Sequence, residues 1–268
     1  MNKFRPSALI GGTLLSLVGL MALTSVLWTP YPPLGLNLRQ RLKPPSAQFW
    51  LGTDEFGRDV LSRLMAGAGT SLLVAACTVA VALLLGVLIG LLAGYLRGRT
   101  DRVLMVFNDA LLAFPGILLA LGVMVVVGAN RWGIVLALGL AYAPTAARVV
   151  RGAVLSLREK EFVEASQVIG NSHARTLFAH VLPNCVAPLV VLATSMFGWV
   201  ILSESALSFL GLGVPPPAPT WGNMLSSGRP YLESASWLGL APGVCIALTM
   251  LGINLVGDAL RDRFDPRT

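Results

Sequence analysis

The chain has 268 residues, 55% of them hydrophobic and only 12% charged, with a mean hydropathy of +0.73. A soluble domain carries about 25% charged residues, so this composition excludes an ordinary soluble enzyme and points to lipid. The net charge of +7 does not mark a nucleic-acid binder, because the basic residues flank apolar runs instead of clustering on one amphipathic face.

A crossing of the hydrocarbon core takes about 20 mostly apolar residues. Six stretches qualify: 8–28, 71–96, 103–128, 132–150, 185–212 and 237–257. The first is longer than a signal-peptide core and has no small-x-small cleavage site before Pro30-Tyr31-Pro32-Pro33, which predicts a retained helix. An outer segment follows through residue 70. The second stretch carries Gly86, Gly90 and Gly94, four apart and on one helix face, where a neighbouring backbone can approach closely. Arg97, Arg99, Asp101 and Arg102 then read as an interfacial anchor. Pro115, Pro144 and Pro188 begin or kink the third, fourth and fifth stretches. Asp109 lies about two turns into the third, and Glu204 near the outer end of the fifth. Carboxylates at such depths should face protein, not lipid. Each reads either as a pathway or gate residue or as a structural tie to a neighbouring helix. A second outer segment, 213–236, is rich in proline, with Pro215-Pro216-Pro217 and Pro219-Thr220-Trp221-Gly222.

Six crossings put both termini on one side. With the termini inside, thirteen Lys and Arg residues fall inside and seven outside, the bias expected of a cytoplasmic N- and C-terminus. The expectation is an all-α polytopic membrane protein. Its parts are a first helix with an outer loop (1–70), a transmembrane domain (71–260) and a cytoplasmic tail (261–268). Cys77, Cys185 and Cys245 stand apart in apolar runs, which argues against a disulfide framework or a zinc site and for small core hydrophobes.

Between the fourth and fifth crossings, residues 151–184 form a polar island. Residues 156–169 read as a short amphipathic helix, with Phe162, Ala165 and Ile169 on one face and Arg158, Glu161 and Glu164 largely on another. Gly170 suits a C-terminal cap. Ser172 can cap a second helix running to Leu182, closed by Pro183. Pattern alone leaves two readings, a protruding knob for another protein's cleft or a solvated connection.

The run Glu161-Phe162-Val163-Glu164-Ala165-Ser166-Gln167-Val168-Ile169-Gly170, continued by His180-Val181-Leu182-Pro183-Asn184, resembles the EAA loop of bacterial ABC importer permeases. That loop is glutamate-alanine-alanine, then glycine after three residues and later leucine-proline. Ser166 replaces the second alanine and His180 an isoleucine, although a His-Val-Leu-Pro-Asn ending is usual in the peptide/nickel branch. Leu51-Gly52-Thr53-Asp54 with Gly57-Arg58-Asp59 and Ser62-Arg63 resembles the signature before the second helix of that branch's C-type subunits. The segments from Ser203 to Gly213 and from Asn254 to Asp262, with Asp265-Pro266, are similar to its fifth-helix end and C-terminus.

The resemblance covers nearly the whole chain in the expected order. It implies the type I importer transmembrane fold in the bacterial inner membrane, a heterodimer with a B-type permease, two ATPase subunits and an extracytoplasmic binding protein. Glu161, Phe162, Glu164, Ala165, Ser166, Gly170, Leu182 and Pro183 would then couple to the ATPases. No lysine sits in a G-x-x-x-x-G-K-[ST] loop, so ATP and Mg are expected on the partner subunits, with no catalytic residue, cofactor or metal in this chain. Both histidines, His173 and His180, fall in the island. Inverted repeats or a membrane charge chain, which a motor-independent transporter or channel would carry, are not seen. The segments around Ala22-Leu23-Thr24-Ser25, Pro30-Tyr31 and Ser62-Arg63-Leu64-Met65-Ala66 resemble nickel-type permeases more than dipeptide ones. The cargo expectation therefore leans to nickel or a metal chelate, with di- and oligopeptides as the alternative. Few soft ligands line the predicted crossings for a bare metal ion.

Overall fold

The computed structural model describes residues 6–264. Lys3, Arg5, Arg267, Asp265-Pro266 and the end of the 261–268 tail lie outside the described residues. In chain order the helices are α1 (Pro6–Leu27), α2 (Val60–Leu96), α3 (Gly98–Leu112), α4 (Gly116–Val127), α5 (Arg131–Arg158), α6 (Glu161–Val168) and α7 (His173–Arg175). A π-helical stretch (Thr176–Val181), α8 (Leu182–Asn184), α9 (Val186–Phe209), α10 (Trp221–Gly228) and α11 (Trp237–Phe264) complete the order. Five of these, α1, α2, α5, α9 and α11, are long and apolar enough to cross a membrane.

The third expected crossing is not one kinked helix. Its halves, α3 and α4, meet at 93°. Pro115 cannot donate to the helix ladder and disfavours helical backbone at Phe114, and α4 starts afresh with Leu118 and Leu119 N–H bonded to the Pro115 carbonyl. The second crossing begins earlier than expected, so residues 60–70 are helix and not loop. Asp59 caps this end, accepting from the Ser62 N–H at 2.8 Å. Apolar content alone hid the start, because Ser62 and Arg63 are buried by polar partners: Asp54 accepts from Arg58 Nε at 2.6 Å and lies 3.3 Å from Arg63 Nε. Burial also pushes the neighbouring Glu55 carboxyl above its ordinary value, and its Oε2 has no partner.

The core of the molecule is the α2–α5 seam. A Cβ on Gly86 would lie 2.8 Å from the Ala147 nitrogen, one on Gly90 2.6 Å from the Ala147 oxygen, and one on Gly94 2.8 Å from Val154 Cβ. The glycine row therefore lets two backbones touch where no hydrophobic force drives helices together, and dispersion supplies the attraction. At the outer end, the fully buried Trp221 of α10 donates from Nε1 to the Leu64 carbonyl at 3.1 Å. Trp237 Nε1 donates to the Thr53 carbonyl at 3.2 Å. The two outer segments are thus stitched to α2 and α11.

Candidate functional site: the knob between α5 and α9

The polar island folds as two short helices around a glycine turn. α5 runs on to Arg158, so the amphipathic helix expected from residue 156 is cut at Glu159-Lys160 and restarts as α6. Gly170 follows with φ +86°, a left-handed backbone that side chains resist and glycine accepts. Ser172 then accepts from the Arg175 N–H at 3.3 Å and starts α7. Pro183 does not end the second helix as expected. The wide turns of the π-helical stretch lie just ahead of it, where its missing N–H would otherwise break the ladder, and the chain stays helical into α8.

The inward face of α6 also differs from the expected one. Val163 and Ser166 are buried, whereas Phe162, Ala165 and Ile169 are exposed. Val163 enters a cluster with Leu91 and Tyr95 of α2, Val150 and Val154 of α5, and Leu177, Val181 and Cys185. Ser166, the residue that departs from the alanine pattern, is bonded to Thr176 Oγ1 at 3.0 Å and accepts from Asn171 Nδ2 at 3.1 Å. One hydroxyl thus ties both knob helices and the turn. Serine for alanine reads as small for small, which conceals this tie.

Tyr95, at the end of α2, anchors the knob from below. Its hydroxyl lies 3.2 Å from His173 Nδ1, its carbonyl accepts from Arg158 Nη1, and the Arg158 guanidinium sits 5.6 Å from its ring centroid. Arg97 and Glu159 pair at 3.0 Å. Arg151 grips Asp101 through two bonds of 2.6 and 2.7 Å. Held from behind in this way, the knob presents Glu161, Phe162, Glu164, Ala165 and Gln167 outward, with Val168 87% and Ile169 78% exposed. An apolar patch set among carboxylates, on a rigid base, has the make-up of a protein-docking surface. Leu182 is half-buried and Pro183 exposed at its edge.

The remaining candidates lie elsewhere. Glu204 is buried at the outer end of α9, where Ser208 Oγ and Thr220 Oγ1 both donate to its Oε1 at 2.9 Å. It binds α10 to α9. Asp109 accepts from Arg148 Nη2 at 2.7 Å, but both side chains are open, 59% and 60% exposed, on the free surface of α3 and α5. Its neighbour Asn108 is the buried one, donating to the Pro144 carbonyl at 3.2 Å. Among the described residues no group of three or more His, Cys, Asp or Glu side chains could hold a metal ion.

Residues 86–268 match the model of the family described as binding-protein-dependent transport system inner membrane component. The chain is 43% identical over 265 residues to a di/tripeptide transport system permease protein of Pseudomonas aeruginosa, covering 96% of this chain and 88% of that one. It is 42% identical over 261 residues to a dipeptide transport system permease protein of Alkalihalophilus pseudofirmus (94% and 86%). An oligopeptide transport system permease protein of Bacillus subtilis is 38% identical over 269 residues (100% and 88%). The fold is that of a solved methionine ABC transporter in its inward-facing conformation, with TM-score 0.62 at 19% identity over 75% of this chain and 95% of that one. An amino acid ABC transporter structure gives TM-score 0.53 at 16% identity over 77% and 94%.

Proposed function

The chain belongs to the binding-protein-dependent inner-membrane transport components, multi-pass permeases of the bacterial inner membrane, and from that premise we propose that it is the C-type subunit of an ATP-driven peptide importer. It pairs with a B-type permease, receives cargo from an extracytoplasmic binding protein and takes its work from two ATPase subunits that bind ATP and Mg. The knob is the point of entry for that work. The observation that carries this assignment is the two-sidedness of α6: Val163 packs against α2 and α5 and Ser166 ties α6 to the second half of the knob, while Phe162, Val168 and Ile169 stand open beside Glu161 and Glu164. Nothing in a free loop requires such a patch, and a cleft on a motor subunit accounts for it. Peptides are favoured over nickel because the three relatives named above, which align along nearly the full chain, are described as peptide permeases. The nickel expectation rests on the short segments near residues 22–66.

The direct test is Glu164→Lys and Ile169→Asp in the reconstituted transporter. Both positions are exposed, so folding and membrane insertion should persist. A central contact in such an interface is worth about 2 kcal/mol or more, which corresponds to roughly a thirtyfold loss of motor affinity. Co-purification of the ATPases and ATP-driven peptide uptake should fall together. Normal uptake with bound ATPases in both variants would sink the assignment.

A further inference from the structure

Polar side chains at membrane depth are costly against lipid and mark water-lined cavities or partners. Helix α5 displays such a row on one partly open face: the half-buried Tyr142 and Thr145 and the exposed Arg148, three apart and so stacked along one side, alternate with the buried Ala143, Pro144, Ala146 and Ala147. Its outer half opens instead through Leu136 and Leu140, which suit hydrocarbon. Helix α9 answers with Ser195, Trp199 and Ser203, again at helical spacing, Trp199 exposed and the two serines half-buried between the buried Met196, Val200 and Ile201. The rows meet where the Tyr142 hydroxyl and Ser203 Oγ lie 2.7 Å apart and the Tyr142 ring stacks on Trp199 at 6.3 Å. Below this point, toward the knob, stands the open Arg148–Asp109 pair.

We propose that these two rows are this subunit's wall of the aqueous path and that the Tyr142–Ser203 pair is where a peptide cargo makes hydrogen bonds through its main-chain amides. The proposal rests on the peptide-importer reading. Two hydroxyls that donate and accept, beside a flat aromatic face, fit any amide backbone while ignoring side-chain identity. The Arg148–Asp109 pair offers both signs of charge to the termini of a zwitterionic peptide, and it is satisfied when no cargo is present.

The test uses the assembled transporter in proteoliposomes with Cys77, Cys185 and Cys245 replaced by serine or alanine. Thr145→Cys and Ser195→Cys are probed with a membrane-impermeant maleimide present on both sides, and Leu136→Cys and Leu140→Cys serve as lipid-facing controls. The wall residues should label at least tenfold faster than the controls in one nucleotide state, and peptide-loaded binding protein should slow that labelling severalfold. Labelling of Thr145→Cys and Ser195→Cys as slow as the controls in every state overturns the proposal, because the rows are then packed against the partner permease. Fast labelling that peptide never slows overturns the cargo contact. In the otherwise native chain, Tyr142→Phe should raise the half-saturating peptide concentration about tenfold, and an unaltered value counts against the contact. Failure of the unmodified transporter to take up peptides would refute the cargo reading, whereas uptake with unlabelled wall residues would refute only the path.

Discussion

Placing a methyl group on Gly90 tests whether the α2–α5 seam holds the transmembrane domain together. The added carbon would sit 2.6 Å from the Ala147 carbonyl oxygen and 2.7 Å from Val150 Cβ, short of ordinary contact at 3.4 Å by roughly 0.8 Å. The backbone oxygen cannot rotate away, so the helices must part. A gap of that size forfeits a quarter to a half of each facing atom pair's attraction, about 0.1–0.2 kcal/mol per pair before loss. Over roughly thirty facing pairs the loss is on the order of 1–2 kcal/mol, within the range usual for overpacking. Alanine returns about 1 kcal/mol through helix propensity, leaving a net cost of about 0–1 kcal/mol for Gly90→Ala, about 1–2 kcal/mol worse than Gly243→Ala, and about 3 kcal/mol for Gly90→Leu. Gly243→Ala is the control, because a Cβ there meets nothing within 4 Å. Gly139→Ala supplies a repair experiment: its new carbon meets Val81 Cγ1 at 2.6 Å, and Val81→Ala in the same chain removes that atom. Unfolding of the purified chain by sodium dodecyl sulfate in mixed micelles, followed by tryptophan fluorescence, gives the free energies. Equal midpoints for Gly90→Ala and Gly243→Ala would refute the reasoning.

Three further outcomes are expected. Burial raises the Glu55 carboxyl above its ordinary 4.5, so its contribution to stability is full below that value and is lost as pH rises through the folded-state value. Glu55→Gln, which does not ionise, should gain thermal midpoint relative to the parent chain as pH rises above about 4.5, and parallel curves would show the shift is absent. Gly170→Val forces a branched side chain into left-handed backbone at a cost of about 1–2 kcal/mol. Amide exchange at Asn171 and Thr176 should quicken while the seam stays protected. Ser166→Ala leaves Thr176 Oγ1 without its partner at a cost of about 1 kcal/mol, and the knob should become more open to protease cleavage with the transmembrane helices unaffected.

Much of the architecture is legible in the residues because lipid imposes a simple rule: long apolar runs span. The glycine row was legible for the same reason, since only a close helix neighbour explains three glycines on one face. Gly170 and Ser172 announced their turn through backbone chemistry that few other residues supply. Pro115 announced a break but not its size, because the 93° bend depends on what α3 and α4 pack against and not on the proline alone. The knob's inward face was misjudged for a more instructive reason. Helix α6 has apolar residues on both sides, and the larger set, Phe162 and Ile169 with Val168, is the one the chain leaves uncovered. A rule that sends the most apolar face inward fails where the chain leaves that face uncovered, and the coupling role proposed above gives the face another subunit to meet. The start of α2 was hidden because Ser62 and Arg63 are buried by Asp54 and Asp59, a pairing that no run of apolar letters reveals.

From His173 to Phe209 the chain winds helically with one non-helical residue, Cys185, a path of about 55 Å at 1.5 Å per residue. No extended segment interrupts it. On the coupling role proposed above, a push at Ser172 would pass through this continuous helical path, by the contact of Thr194 with Gly257, to Glu204 and the α10 segment it grips. In that reading the knob and the outer α10 segment lie at the two ends of one continuous stretch of chain, so the rigidity of the 181–186 junction would set how much motion survives the crossing.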